Sequence, residues 1–202
     1  EQEGLSSACC PFDKKRSGFV LSEGSAILVM EDYDSAKNRN ADILGEIVGY
    51  ANFTDAKDYT APAEDMMARV MAIRSACNQA GISAADIDYI NAHGTSTPLN
   101  DLNESNAIKM ALGDSAYSTA ISSTKSYTGH LIGAAGSLEA IFCLKTLQTG
   151  MIPATIHLND PDPECDLDYT PNTHRHDPGI EYALNLSFGF GGSNAAIVLK
   201  KA

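Results

Sequence analysis

Three stretches of this 202-residue chain hold side chains able to do acid–base or carbonyl chemistry. The first is Asn91-Ala92-His93-Gly94-Thr95-Ser96-Thr97-Pro98-Leu99. Gly94 lets the backbone at His93 pass close to a bound group, and Thr95 and Thr97 offer hydroxyl donors. Taken alone, a strand-to-helix turn capped by threonine explains it as well. The second runs Ser122-Ser123-Thr124-Lys125-Ser126-Tyr127-Thr128-Gly129-His130-Leu131-Ile132-Gly133-Ala134-Ala135-Gly136. A cation beside His130 would disfavour the imidazolium and hold the ring neutral. A neutral imidazole donating through one nitrogen suits the polarisation of a carbonyl oxygen. The competing reading is a surface lysine beside a capping histidine. The third, Ser187-Phe188-Gly189-Phe190-Gly191-Gly192-Ser193-Asn194, sets three glycines around two aromatics. Free backbone N–H groups there can form half of an oxyanion hole. The simpler account is a β-turn with two core phenylalanines.

Each motif needs an element on either side to position it. The first follows a predicted strand over residues 87–92 and precedes a predicted helix over 101–112 ended by Gly113. The second follows a short strand over 120–123 and leads into a small-residue helix over 133–148, ended by Gly150. The third joins strands over 182–187 and 194–200 as a hairpin. Upstream, Ala26-Ile27-Leu28-Val29-Met30 reads as a buried strand, 33–39 as a short helix and 43–50 as a strand. The clearest helix runs from Glu64 to Ala80, with Met67, Val70, Met71, Ala76, Cys77 and Ala80 at helical spacing and Gly81 as its stop. Ser83 caps a short turn. Residues 151–179, with five prolines, read as an ordered loop. Strands and helices alternate without a linker, so the fold class is α/β, one layered domain with a mixed sheet of about five strands. Loops at the carboxyl ends of strands are where such folds carry ligands.

Composition narrows the function. Lys and Arg number 14 against 26 Asp and Glu, a net charge of −12, which argues against nucleic acid and against an anionic membrane surface. No apolar run approaches a bilayer span, and the polar start Glu1 to Ser7 has no signal-peptide core. Five cysteines without a CxxC pair point to a reducing, cytoplasmic compartment, or a plastid or mitochondrial matrix. Cys77 and Cys143 read as small core hydrophobes. Zinc spacing is absent. His174-Arg175-His176 forms an HxH, for which a surface polar loop fits better than a metal site.

The three motifs, in this order and spacing, resemble β-ketoacyl-acyl-carrier-protein synthases, and most of all the type II synthase of fatty-acid synthesis. Residues 11–24, PFDKKRSGFVLSEG, resemble the segment joining that family's two halves, and residues 159–169, NDPDPECDLDY, resemble another family stretch. The resemblance implies a thiolase-like fold and identifies the chain with the C-terminal half. Residues 1–24 would connect from an N-terminal half that holds the nucleophilic cysteine, and residues 25–202 would be the synthase domain. Cys9 and Cys10 lack the helix start and fixed cation a thiolate needs.

The implied reaction is a decarboxylative Claisen condensation of malonyl-acyl carrier protein with an acyl-enzyme thioester. His93 and His130 would be neutral donors to the enolate oxygen. Lys125 would support His130. The Phe190 N–H would complete an oxyanion hole, and its ring would gate the acyl pocket. Thr95 and Thr97 would bond the phosphopantetheine arm, with Phe188 and Gly189 lining the substrate site. No cofactor is implied, the arm arriving on the acyl carrier protein. In some relatives the positions of Asn91, Glu139, Asn185 and Asn194 surround a structural cation or a water. Lys14, Lys15 and Arg16 are candidates for docking acyl carrier protein. The other partners implied are the N-terminal half and, in the full-length enzyme, a second copy. Alternatives are a non-catalytic synthase-like partner, an inert fragment and a polyketide synthase domain. A thiolase fits poorly, because no cysteine follows Cys165.

Overall fold

The computed structural model describes residues 8–202; the polar start lies outside the described residues. Helices α1 (Tyr33–Asn38), α2 (Met67–Ala80), α3 (Pro98–Leu112), α4 (Lys125–Thr128) and α5 (Ala135–Thr149) accompany seven strands. These are β1 (Glu46–Thr54), β2 (Tyr89–Asn91), β3 (Ala120–Ser122), β4 (Met151–Ile152), β5 (Arg175–His176), β6 (Tyr182–Gly189) and β7 (Ser193–Lys200). Five strands form one sheet in the order β1-β7-β6-β2-β3, and β4 and β5 pair separately. β1, β7 and β6 run antiparallel, whereas β6, β2 and β3 run parallel, so the expected mixed sheet is met.

Strand periodicity divides the core into two faces. Ile90, Leu184, Leu186, Ala196 and Val198 point to one face, where α2 and α3 supply Val70, Ile73, Cys77 and Ile108. Tyr89, Ala183 and Leu199 point to the other, against Ala140, Cys143 and Leu147 of α5. The sheet thus lies between two helical layers. β2, β3 and β6 share one direction, so all three chemical motifs leave the sheet at the same edge.

Local chemistry sets the boundaries. Thr97 caps α3, accepting from Asn100 N, and Pro98 fills its first turn, so the helix starts three residues earlier than its apolar spacing suggests. Helix α2 starts later than expected, at Met67, and ends at Gly81 in the left-handed conformation. Gly150 ends α5 in the same way. Ser83 and Asp86 form a reciprocal capping box.

Ala26–Met30 departs from expectation. It is neither a strand nor buried: Ile27 is 83% exposed, Val29 91% and Met30 73%, and only Leu28 of the long side chains packs against the α5 core. Strand β1 begins three residues later than expected and runs four further, to Thr54. Residues 9–22 do more than connect. Phe12 is fully buried and stacks on Tyr169 at 3.7 Å, and Arg16 is buried as well.

Candidate active site

His93 follows β2, and its ring position is built by three other segments. Its backbone N–H and that of Gly94 donate to Glu104 Oε1 and Oε2 at 2.7 and 2.8 Å, so one carboxylate of α3 clamps the turn. Gly94 has φ +38°, and a Cβ there would stand 2.5 Å from Ser123 Cβ, so no other residue fits. Ser123 Oγ donates to the Gly94 carbonyl at 2.7 Å, tying this turn to the motif after β3. Lys125, 1% exposed, extends its ammonium to the His93 carbonyl at 2.6 Å and to His93 Nδ1 at 3.3 Å. It also forms an ion pair with Glu139 of α5.

His130 is held from the other side. Its N–H donates to the Val20 carbonyl at 2.7 Å, Ser22 N donates back to its carbonyl, and Ile132 N donates to its Nδ1 at 3.0 Å. The two imidazole centroids lie 5.4 Å apart, nearly perpendicular. In each ring Nδ1 accepts, which assigns the proton to Nε2. Burial, then Lys125, then the neighbouring imidazole and Arg69 hold His93 well below the usual histidine range. Burial and the Lys125 charge bring His130 down to about 4. The site therefore presents two neutral Nε2–H donors side by side.

The sequence reading placed Lys125 in support of His130. The structure keeps the electrostatic part, since the Lys125 charge acts on His130, and corrects the orienting part, since the lysine touches His93 instead. Sequence proximity misled, because the α4 turn points Lys125 inward beneath β2, while Gly129, at φ +66°, turns His130 away.

Both histidines line a cleft of about 560 Å³ together with Thr95, Thr97, Phe188, Gly189 and Phe190. Thr95 and Thr97 share a hydroxyl hydrogen bond at 2.9 Å. Phe188 is buried edge-on to His93, whereas Phe190 is 66% exposed at the mouth, so only one of the pair is a core phenylalanine. The turn carrying Phe190 is braced from the loop after β1. Asp55 N donates to the Gly192 carbonyl, Gly191 N donates to Tyr59 O, and Asn194 Nδ2 donates to Asp55 Oδ1 at 2.7 Å. Phe19 also lines the cleft and packs edge-on to His130, so the segment before α1 belongs to the site.

Of the four residues named for a cation, Asn91 and Asn185 sit side by side on β2 and β6, and Glu139 faces the same layer from α5. Glu139 Oε2 and Asn185 Oδ1 are buried without a partner among the described residues, whereas Asn194 is turned to Asp55 and the Gly192 carbonyl. Burial pushes the Glu139 carboxyl up, and Lys125 pulls it back. The HxH gathers no ligands: Arg175 pairs with Asp168, and His174 Nδ1 accepts from Ala154 N. Among the described residues no cluster of three His, Cys, Asp or Glu side chains could hold a metal.

Two other readings are resolved. All five cysteines are free and buried, and burial pushes the Cys9 thiol up to about 11 and the Cys10 thiol up as well, the opposite of what an activated nucleophile needs. The basic cluster is largely spent on internal ion pairs: Arg16 is buried on Asp162 and Asp101, and Lys14 pairs with Asp160, leaving Lys15 as the exposed cation without such a pair among the described residues.

Sequence reasoning missed Arg69, Asn100, Asp101 and Glu104, all buried around the site. A signal was there for α3. Asp101, Glu104 or Ser105, Ile108 and Ala111 recur at helical spacing, so the two carboxylates fall on the stripe that buries Ile108.

Residues 44–159 match the family model described as beta-ketoacyl synthase, C-terminal domain. The chain is 50% identical over 95% of its length to a 3-oxoacyl-[acyl-carrier-protein] synthase 2 of Synechocystis, and 49% identical over 98% to that of Staphylococcus aureus. It covers 46% and 48% of those proteins, so the chain spans about half the length of the curated relatives it matches. Two solved structures are similar. One is a type II PKS ketosynthase bound to the hexaketide in complex with its acyl-carrier protein, with TM-score 0.96, 44% identity, and 100% of this chain and 49% of that one covered. The other is a beta-ketoacyl synthase from Burkholderia phymatum, with TM-score 0.89, 39% identity, and 95% of this chain and 46% of that one covered. The histidine pair, the sheet that positions it and the matched domain lead to one conclusion: this chain belongs to the β-ketoacyl synthase family and carries its C-terminal domain.

Proposed function

We propose that this chain supplies the decarboxylation half of a 3-oxoacyl-[acyl-carrier-protein] synthase active site, acting in fatty-acid elongation with an N-terminal half that holds the nucleophilic cysteine. The observation that carries the reading is the pair of neutral imidazoles, ring centroids 5.4 Å apart, that keep Nε2–H as the donor at one cleft. Loss of carbon dioxide from a malonyl thioester breaks the bond to the carboxylate. Its electron pair moves onto the thioester carbonyl as an enolate. The oxygen then carries the developing charge, and two aimed donors stabilise it at roughly 3 kcal/mol each. Neutral rings suit the step, because an imidazolium would protonate the carbanion before it could attack. The enolate carbon next attacks the acyl-enzyme carbonyl, a carbon–carbon bond forms, and the thiolate leaves.

Thr95 and Thr97, on the cleft wall, would bond the amides of the phosphopantetheine arm, and Phe190 would gate the acyl channel and lend its N–H to the acyl oxygen. Glu139 and Asn185, with orphaned oxygens beside Asn91, would hold a water or a cation beside the Lys125–Glu139 pair. Its partners would be acyl carrier protein, the N-terminal half and a second copy. Among the described residues no helix is long and apolar enough to cross a membrane.

The test pairs the chain with the N-terminal half and follows carbon dioxide release from malonyl-acyl carrier protein. Release that falls at least 100-fold in His93→Ala and in His130→Ala is expected. Release independent of both would overturn the reading. A non-catalytic partner role is disfavoured by retention of both histidines with Lys125.

A further inference from the structure

Arg69, on the first turn of α2, lines the same cleft, and the mechanism above leaves it unused. It is 4% exposed. Its guanidinium lies over the Phe188 ring, 4.3 Å from the centroid, which fixes the plane. Asn100 occupies one edge of the fork, accepting from Nη2 through Oδ1 at 3.0 Å and from Nη1 through its carbonyl at 3.5 Å. On the other edge Nε–H is buried and, among the described residues, has no hydrogen-bond partner.

The carboxylates whose charges reach Arg69 are all committed elsewhere. Glu104 accepts from His93 N and Gly94 N, Asp55 from Asn194 and Ala63 N, and Asp101 from Phe12 N and Asn100. None of them forms an ion pair with it. A buried guanidinium without an ion pair is costly, and an arriving anion removes part of that cost. Guanidinium edges match carboxylates in charge and in spacing.

We propose that Arg69 is the residue by which the cleft selects an anionic acyl group, taking the carboxylate of a malonyl thioester while His93 and His130 take its carbonyl oxygen. This rests on the condensing reading above. The contact belongs to the bound substrate: once the carboxylate leaves as neutral carbon dioxide, nothing ionic holds it. Loss of the contact therefore raises KM more than it lowers kcat.

The experiment measures binding by calorimetry, with both halves of the protein present, of malonyl-pantetheine against the neutral butyryl-pantetheine. The wild type should prefer the malonyl compound, and Arg69→Met should reduce that preference about 10- to 100-fold. Arg69→Lys should restore part of it, since the charge returns without the fork. The ratio controls for folding, because a damaged cleft loses both ligands together. Equal affinity for the two compounds in the wild type, or a preference unchanged in Arg69→Met, would sink the proposal. A wild type that prefers malonyl yet releases no carbon dioxide would instead remove the condensing reading and leave the anion site standing.

Discussion

Replacement of Lys125 by methionine tests the charge arrangement most directly. The side chain keeps its length and loses its ammonium, and with it the ion pair to Glu139 and the bonds to the His93 carbonyl and Nδ1. Glu139, 3% exposed and with its second oxygen already unpartnered, becomes an isolated buried carboxylate. Breaking a buried pair from one side costs about 3–5 kcal/mol. His93 also loses the donor that assigns its proton to Nε2 and one of the charges that keep it neutral. A misaligned donor of this kind costs a further 100- to 1,000-fold in rate. The double variant Lys125→Met/Glu139→Leu separates the two effects. Removing both charges should return most of the lost stability, because well-packed apolar residues often replace a buried pair at little cost. Carbon dioxide release should stay low, because His93 still lacks its partner. Urea titration reads the first and release from malonyl-acyl carrier protein reads the second. A double variant no more stable than Lys125→Met, or a single variant with wild-type release, would refute the reasoning.

Further outcomes follow from the same geometry. Carbon dioxide release should stay level from about pH 8 to pH 5 as far as the histidines are concerned, and fall as pH approaches about 4, where His130 takes its proton; a break near 6.5 would contradict the neutral pair. The folded-state value of His130 is depressed, so the unfolded chain binds more protons below 6.5, and this histidine subtracts stability as pH falls from 6.5 to about 4. Asp101, pushed up to about 6 by burial, acts in the opposite sense below that pH, so the effect is read as the difference between wild type and His130→Gln, which should shrink as pH falls. Gly94→Ala places a Cβ 2.5 Å from Ser123 Cβ at positive φ and should cost about 2–4 kcal/mol in denaturant titration. The five buried thiols should react with iodoacetamide at pH 8 far more slowly in the folded chain than in urea, and a fast-labelled Cys9 or Cys10 would reopen the question of a nucleophile.

Much of the site was legible from residue types and order, because its groups lie in short segments whose glycines and hydroxyls have few other uses. Strand–motif–helix order placed His93 and the Lys125–His130 loop at strand ends, and the parallel run of β2, β3 and β6 brings those ends together. What was not legible involves contacts distant in the chain. Lys125 reaches His93 across 32 residues, and Glu104 binds the His93 turn from the following helix. Arg16 looked like a surface cation until Asp101 and Asp162 enclosed it.

The sequence alone determined the layered α/β class, the glycine stops of its longer helices, and the choice of the two histidines as candidates, since these follow from local periodicity, capping chemistry and motif order. Tertiary structure decided which histidine receives the lysine, which phenylalanine is buried, and that Arg69 faces the cleft without an ion pair among the described residues. It also left the apolar run Ala26–Met30 in solvent. An unbroken apolar run states that a segment has surface to bury, and only packing partners determine whether and where it is buried.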